Sequence, residues 1–464
     1  MQNTASLPVR SIGVLALIFT ACNATTHGFS IFLYSALLPE IRQQFELNYS
    51  QAAFIAALLQ LFYMGASIVS GIAAAWISPL NMVRLTMALS PMLLALAVAT
   101  PWVLPFALCL SLVSACAVSN WNAIAALASE VIPTSHRSRV LGLASSGAAF
   151  AICLNGVLIA LLHGISLTLF WLICAGLTLI ATLLTFWALA PLAKGHSFKP
   201  GSTPSLRRVL RQWLHLCLEH SVALHVLLLS AFIGGISGPF LNFLSAFASE
   251  RLGANAQITG SLWTLIGIGG VVGGLLLGSL ADRWGALKVM ALSICAFGMA
   301  MLGLLWRPSL GLTWLAAGLF ALFYFPVWGL MAAYLSARLS PVQSLQVVSL
   351  SMVGYGLGSA IANWLCGWLL QATGSFALVH GWIACWAIVS LLLLGLMSRR
   401  QRRESARSTT LNGPTGAKEC GPRRPPPEPC IEWNAKTSTA PAQSAESLGL
   451  HSESANLRGP DAAP

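Results

Sequence analysis

The residues best suited to chemistry lie in one short run, CNATTHGFSIFLY, which extends from Cys22 to Tyr34. His27 is near its centre, and long apolar sequence flanks the run on both sides. An imidazole changes charge near neutral pH, so it can carry a proton or bind a solute by a hydrogen bond. A neutral histidine that donates to a neighbouring helix would look the same in sequence. The run therefore leaves three roles open for His27: proton carrier, solute ligand or packing residue.

Other signatures of chemistry are missing from the sequence. It has no nucleophile–base pair, no metal-ligand spacing and no phosphate-binding loop. The 11 cysteines are scattered and mostly lie within apolar runs, which is typical of small core residues and not of a disulfide framework or a zinc site. The sequence predicts a protein that is not an enzyme and has no cofactor or metal.

The composition places these residues in a membrane. Hydrophobic residues make up 56% of the 464 positions and charged residues 8%, whereas a soluble chain carries roughly 25% charged residues. The first apolar stretch is too long for a removable signal peptide and leads directly into others. We therefore expect an integral membrane protein.

Apolar windows of membrane-spanning length recur twelve times, six on each side of a central polar segment. They predict an all-α membrane protein with 12 transmembrane helices in two six-helix bundles. We number these windows spans 1 to 12; they cover residues 12–38, 51–76, 83–100, 103–130, 139–163, 166–190, 222–247, 258–281, 286–306, 309–337, 344–371 and 375–397.

The loop charges predict the orientation. Loops on the side of the N-terminus carry twelve Lys and Arg residues before the C-terminal tail, while the opposite loops carry only Arg42, Arg251 and Arg307. The positive-inside rule then places both termini in the cytoplasm, which for a bacterial chain means a multi-pass protein of the inner membrane. Because the basic residues lie in short loops between spans, we expect the lipid bilayer and not a nucleic acid as partner.

Four segments follow from these patterns. Residues 1–190 form an N-terminal six-helix bundle, 191–221 a cytoplasmic linker, 222–397 a C-terminal bundle and 398–464 a disordered cytoplasmic tail. The linker contains SLRRVLRQWLHLC, whose apolar residues recur at helical spacing and predict an amphipathic helix on the inner membrane surface or a solvated linker helix. Arginines at the start of the tail are suited to anionic lipid.

The two halves are weakly repeated. A shift of about 207 residues superposes Gly28 on Gly235 and Gly71 on Gly278, and a shift of 208 superposes Asn155 on Asn363. Internal duplication in a multi-span chain is typical of transporters, in which two related bundles rock about a central site.

Two motifs connect the chain to a known family. GSLADRWGALK, from Gly278 to Lys288, resembles the signature loop of the major facilitator superfamily, and ASEVIPTSHRSRVLG resembles its connection between the fourth and fifth spans. LYSALLP in span 1 and the glycine-rich span 8 are similar to a bacterial branch, the YbfB/YjiJ-like transporters.

The resemblance implies a latch that forms only while the cytoplasmic side is closed. Asp282 would then meet the start of span 5, near Arg139. The proposed latch residues are Gly278, Asp282, Arg283, Gly285, Glu130, Arg137 and Arg139. These residues would equally serve as topology-setting loop charges. The first half departs from the motif, because Ala75 stands where the repeat predicts an aspartate.

In this superfamily, spans 1, 4, 7 and 10 line the central path. The polar and aromatic residues that these spans offer are His27, Tyr34, Asn120, Asn122, Asn242, Tyr324 and Trp328. Asn120 and Asn122 point about 200° apart on a helix, so at most one faces the path squarely. The aromatic residues would serve equally as core packing, and Asn155 and Asn363 as links between helices.

No Lys, Arg, Asp or Glu lies deep in a span, which favours a small neutral or lipophilic solute. The sequence thus predicts a secondary active transporter that works by alternating access as a monomer, with proton-coupled efflux as one role. The alternatives are an uptake carrier for a small metabolite and a membrane sensor or scaffold that transports nothing.

Overall fold

The computed structural model describes residues 9–74, 76–99, 101–193 and 206–411. Within this part of the chain, all twelve predicted spans are helices. Their bounds are Val9–His27 continued through a π-helical turn, Gly28–Phe32, to Leu33–Ala36; Tyr49–Ala73; Pro79–Val98; Val103–Val131; Thr134–Leu161; Leu167–Ala193; Ser221–Ala246 with a π-helical turn at Phe247–Arg251; Ala256–Trp284; Ala286–Trp306; Leu310–Ser336; Pro341–Thr373; and Phe376–Leu411.

Eleven of these described helices are long and apolar enough to cross a membrane. The twelfth, span 11 at Pro341–Thr373, has 33 residues, which at 1.5 Å per residue gives it a length of roughly 50 Å, also sufficient to cross. We call the side on which span 1 begins the inner face, which the loop charges predict to be cytoplasmic, and the opposite side the outer face.

Local sequence explains where the spans begin. The side chain of Asn48 accepts a hydrogen bond from the backbone of Gln51 at the start of span 2, and that of Asn255 accepts one from Ile258 at the start of span 8. Such caps satisfy backbone donors that the first helical turn leaves free. The two caps are 207 residues apart, as the internal repeat predicts.

The two halves meet through two pairs of helices, spans 5 and 8 and spans 2 and 11. Small residues allow the close approach: a Cβ atom on Gly156 would lie 2.3 Å from the carbonyl oxygen of Gly260, and one on Gly367 would lie 2.1 Å from the Cβ of Ala53. Close backbone approach at glycine is a common way for membrane helices to associate.

Two short helices of the described chain lie outside the spans. Leu38–Gln44 follows span 1 on the outer face. Leu206–Glu219 is the predicted linker helix, and it contacts the inner ends of spans 7 and 11. The remainder of the predicted linker, residues 194–205, lies outside the described residues, and the segment boundaries given above stay predictions.

The last span is longer than its apolar run predicts. It continues from Met397 to Leu411, through part of the segment that we expected to be disordered. No glycine or proline interrupts the chain until Gly413 and Pro414, so nothing in the sequence ends the helix at the membrane edge. Residues 398–411 are therefore described as a continuation of the span 12 helix; residues 412–464 lie outside the described part, and disorder of the tail stays a prediction.

Candidate functional site

A cavity of about 1170 Å³ lies between the two halves. Its mouth is at the inner face, where Pro79, Gly142 and Asp282 line it, and its closed end is lined by His27, Phe32 and Tyr324. Eight spans contribute residues to its wall, namely spans 1, 2, 3, 4, 5, 8, 10 and 11. The structure is therefore open to the inner face.

Two hydrogen-bonded pairs form the closed end of the cavity, one from each half. His27 Nε2 lies 3.3 Å from the hydroxyl of Tyr63 in span 2. The hydroxyls of Tyr324 and Tyr355 are 2.9 Å apart, and Ser237 lies 3.5 Å from the Tyr355 hydroxyl. This end of the cavity thus offers phenolic hydroxyls and one imidazole, which can donate to or accept from a neutral polar group.

Aromatic rings surround these hydroxyls. Trp328 packs edge-on against Tyr355, with ring centroids 5.2 Å apart, and Tyr324 stacks on Phe320 at 5.1 Å. Trp328 and Tyr324 line the cavity, whereas Phe320 is fully buried behind them. A flat apolar solute can pack against such a wall.

The asparagines of span 4 divide as the helical geometry predicts. Asn122 lines the cavity, and its Nδ2 donates to the Ser70 hydroxyl at 2.9 Å. Asn120 points away from the cavity and is fully buried, where its Oδ1 accepts from Thr86 at 3.2 Å. In span 5, Asn155 links helices, because its Nδ2 donates to the Gly28 carbonyl at 2.8 Å.

Two more of the predicted path residues lie outside this cavity. The Tyr34 hydroxyl donates to the carbonyl oxygen of Ala52 at 2.7 Å and ties span 1 to span 2. Asn242 is 1% exposed and does not line the cavity. The structure therefore brings together His27, Asn122, Tyr324 and Trp328, and leaves Tyr34, Asn120 and Asn242 in the packed interior.

The outer face is closed by contacts between the halves. Arg42, beyond span 1, forms an ion pair with Glu250, at the end of span 7, with Nη1 and Oε1 2.6 Å apart. The Tyr49 hydroxyl also donates to Glu250, and the Arg42 guanidinium lies 3.5 Å from the centre of the Tyr49 ring. Gln371 accepts from the Tyr49 backbone at 3.0 Å. We call these four residues the outer gate.

Comparisons with known proteins agree with this architecture. The sequence profile of the Major Facilitator Superfamily matches residues 20–340 and 227–441. The chain belongs to the major facilitator superfamily. Among solved structures, a mutant of the nucleoside transporter NupG aligns with a TM-score of 0.66 at 14% identity, over 83% of this chain and 99% of that one. A bacterial homolog of the human lysosomal transporter Spinster, inward-facing and occupied, aligns with a TM-score of 0.64 at 14% identity, over 85% and 98%.

Curated relatives match over shorter stretches. The uncharacterized MFS-type transporter YceJ of Bacillus subtilis is 26% identical over 36% of this chain and 44% of its own length. The cyanate transport protein CynX of Escherichia coli is 29% identical over 36% and 43%. The 4-hydroxybenzoate transporter PcaK of Acinetobacter baylyi is 28% identical over 34% and 35%. The matched stretch is less than half of each relative.

The residues predicted to form a latch do not pair with one another in this inward-open structure. Gly278 and Asp282 line the cavity mouth, and Asp282, Arg283, Glu130 and Arg139 are exposed. Arg137 donates to the Ser129 carbonyl at 2.6 Å, at the inner end of span 4. Among the described residues, none of these charged groups takes part in an ion pair. Gly285 has φ +89°, which suits the tight turn into span 9.

Charge is nearly absent from the cavity wall. Of its lining residues within the described part, only Asp282 carries a formal charge, and it lies at the mouth. The described residues also contain no cluster of three or more His, Cys, Asp or Glu that would hold a metal ion. Trp213 of the linker helix lines the same mouth, a contribution that the sequence pattern did not indicate.

Proposed function

We propose that this member of the superfamily is a secondary active transporter for a small, uncharged, largely apolar solute that carries a hydrogen-bonding group. One observation carries the proposal. The large cavity is walled by aromatic and small residues, and among the described lining residues its only formal charge is Asp282 at the mouth. The hydroxyls of Tyr63, Tyr324 and Tyr355 and the imidazole of His27 supply neutral hydrogen-bonding groups at the closed end.

Electrostatics argue against a charged solute. A carboxylate or phosphate in an apolar site is normally matched by Arg or Lys, and a cation by a carboxylate, because an unpaired buried charge is costly. The described residues at the closed end of this cavity offer neither partner. The cavity size suits a small molecule with room for water, since typical small-molecule sites enclose about 300–1,000 Å³.

Transport would proceed by alternating access. Gly156 of span 5 contacts Gly260 of span 8. Seven residues along each helix towards the inner face, the carbonyl of Ala149 contacts Gly267. Seven residues further towards the inner face, Gly142 and Gly274 have nothing within 4 Å of a Cβ atom. Continuing the same register on closure would bring Gly142 against Gly274 and Asp282 against the first residue of span 5. A helix N-terminus attracts a carboxylate, which gives the latch a physical basis.

His27 is the candidate for proton coupling. It is the only described imidazole in the cavity wall, and it lies at the end where solute would bind. A solute that enters through the inner mouth and leaves outward would be exported in exchange for protons. The same site would serve uptake if the gradients were reversed, so the direction of transport is one of the quantities to be measured. We place the protein in the bacterial inner membrane with cytoplasmic termini.

The test is flux in proteoliposomes with two probes that share a phenol ring and differ in the charge of the second substituent. 4-Hydroxybenzamide is neutral at pH 7, whereas 4-hydroxybenzoate has the same ring and phenol but an anionic carboxylate. We expect saturable flux of the amide, stimulated by a pH gradient of one sign, and no protein-dependent flux of the anion. Flux of the anion alone would overturn the proposed solute class. Flux of neither would favour the sensor or scaffold role.

A further inference from the structure

Asn242 in span 7 is a buried amide that the inward-open structure leaves without a partner. Neither its Oδ1 nor its Nδ2 has a hydrogen bond to the described protein, although the residue is 1% exposed. The two other asparagines predicted for the path, Asn122 and Asn120, each have a hydrogen-bond partner. An unpaired buried amide is costly, so such a group in a native protein calls for an explanation.

The position of Asn242 along span 7 is between the cavity and the outer gate. Ser237, which reaches the Tyr355 hydroxyl at the closed end of the cavity, lies five residues, or about 7.5 Å, towards the inner face. Glu250 of the outer gate lies eight residues, or about 12 Å, towards the outer face. Asn242 is thus just beyond the point at which the cavity now ends.

The direction of the side chain follows from its neighbours. Phe243, one residue after, packs against Tyr49 at the start of span 2 in the opposite half. Ser245, three residues after, accepts a hydrogen bond from Trp263 in span 8. At about 100° per residue, Asn242 points between these two directions. Span 7 contacts Leu33–Ala36 of span 1 on the opposite half, so Asn242 lies in the closed seam between the halves.

This seam must part when the transporter opens outward. The ion pair between Arg42 and Glu250 and the packing of Tyr49 on Phe243 hold it shut in the present structure. From this geometry we infer that Asn242 is a solute-binding residue of the outward-open state, hidden in the inward-open one. Its carboxamide both donates and accepts, so it fits a neutral solute bearing an amide, a hydroxyl or a ring N–H.

This inference rests on the proposed function, because it concerns the same path and the same solute class. It also assigns each asparagine to one face of the membrane: a solute arriving from the outer face meets Asn242 first, whereas one arriving from the inner face meets Asn122. The two asparagines are therefore a matched pair for experiment, one on each side of the closed end.

The first test needs no transport. Asn242→Cys and Asn122→Cys are made in the full chain, and vesicles of each orientation are treated with a membrane-impermeant methanethiosulfonate, with labelling located by mass spectrometry. We expect Asn122→Cys to react at least about tenfold faster from the inner face and Asn242→Cys from the outer face. Adding Glu250→Gln should raise the outer rate of Asn242→Cys. Equal reactivity of both cysteines from the inner face would overturn the inference, as would an Asn242→Cys that stays unreactive after the gate is weakened.

The second test separates binding from a shift between states. With 4-hydroxybenzamide as probe, Asn242→Val should raise the half-saturating concentration on the outer side about fivefold and leave the inner value within about twofold. A purely conformational role would lower the inner value as the outer one rose, and that result would overturn the assignment. If the probe is not transported at all, the labelling result still decides whether Asn242 faces the outer side.

Discussion

Arg42 and Glu250, which are within one residue of equivalent positions in the 207-residue repeat, form an ion pair 2.6 Å long across the outer face. The repeat therefore places a cation and an anion where the two bundles meet. Tyr49 adds a hydroxyl to Glu250 and a ring beneath Arg42. This pairing holds the outer face closed while the inner latch residues are apart.

Breaking that ion pair should favour the outward-open state. The two side chains are only 18% and 35% exposed. We therefore expect Arg42→Ala to destabilise the state with the closed outer face by about 1 kcal/mol relative to the outward-open state, which is roughly a fivefold shift in population. Spin labels at Gln44 and Gln257, on the outer ends of opposite halves, would report the shift as a longer distance. Arg251→Ala, an exposed neighbour, should change nothing, and exchanging the two charges should restore part of the closed population. An unchanged distance between the spin labels in Arg42→Ala would show that the ion pair does not hold the outer face closed.

Close packing of spans 5 and 8 predicts a steric effect. A Cβ on Gly156 would lie 2.3 Å from the Gly260 carbonyl, whereas Gly176 in span 6 has nothing within 4 Å. Gly156→Ala should therefore push the halves apart at the outer side and reduce transport at least about tenfold, because a helix backbone cannot yield cheaply. Gly176→Ala serves as the matched control and should transport normally. Normal transport by both variants would contradict the packing argument.

The inner latch predicts an asymmetry between the halves. Asp282 is exposed at the cavity mouth in this structure, and closure would place it at the start of span 5. Asp282→Asn should therefore slow transport several-fold by weakening an interaction of about 1 kcal/mol at a helix N-terminus. Ala75→Asp, which restores the missing aspartate of the first half, should change transport less. Unaltered flux in Asp282→Asn would show that its charge serves only topology.

His27 predicts how transport responds to pH. If this imidazole carries the coupled proton, His27→Gln should abolish the dependence of flux on pH between about 5.5 and 7.5. Tyr63→Phe, which removes only the hydroxyl 3.3 Å from Nε2, should retain that dependence. Unchanged flux with an unchanged pH profile in His27→Gln would leave His27 as a packing residue.

Much of this fold could be predicted from sequence, because the length of an apolar run predicts a membrane span and the loop charges predict its orientation. Span 4, predicted at 103–130, is the helix Val103–Val131. The end of span 12 was missed because its helix continues into polar sequence, where hydropathy gives no signal. The sequence predicts Tyr34 and Asn120 on the path because composition identifies a helix but not which face of it is buried.

The outer gate was not predicted from the sequence, although the internal repeat contained a signal for it. Arg42 and Glu250 are isolated loop charges, and each alone looks like an ordinary surface residue. Only the repeat register, which sets them within one residue of equivalent positions at the outer ends of the two halves, indicates that they meet. Asn242 was identified by residue type, but its placement beyond the cavity depends on which face of the molecule is closed.

Counterflow is the most direct test of transport of a neutral solute by this protein, because exchange through one alternating site needs neither a known direction nor a known coupling ion. Proteoliposomes loaded with unlabelled 4-hydroxybenzamide are diluted into a trace of the labelled compound. We expect a transient accumulation of label above equilibrium, absent from protein-free vesicles and from vesicles loaded with 4-hydroxybenzoate. Accumulation with the anion and none with the amide would contradict a transporter built around an uncharged cavity.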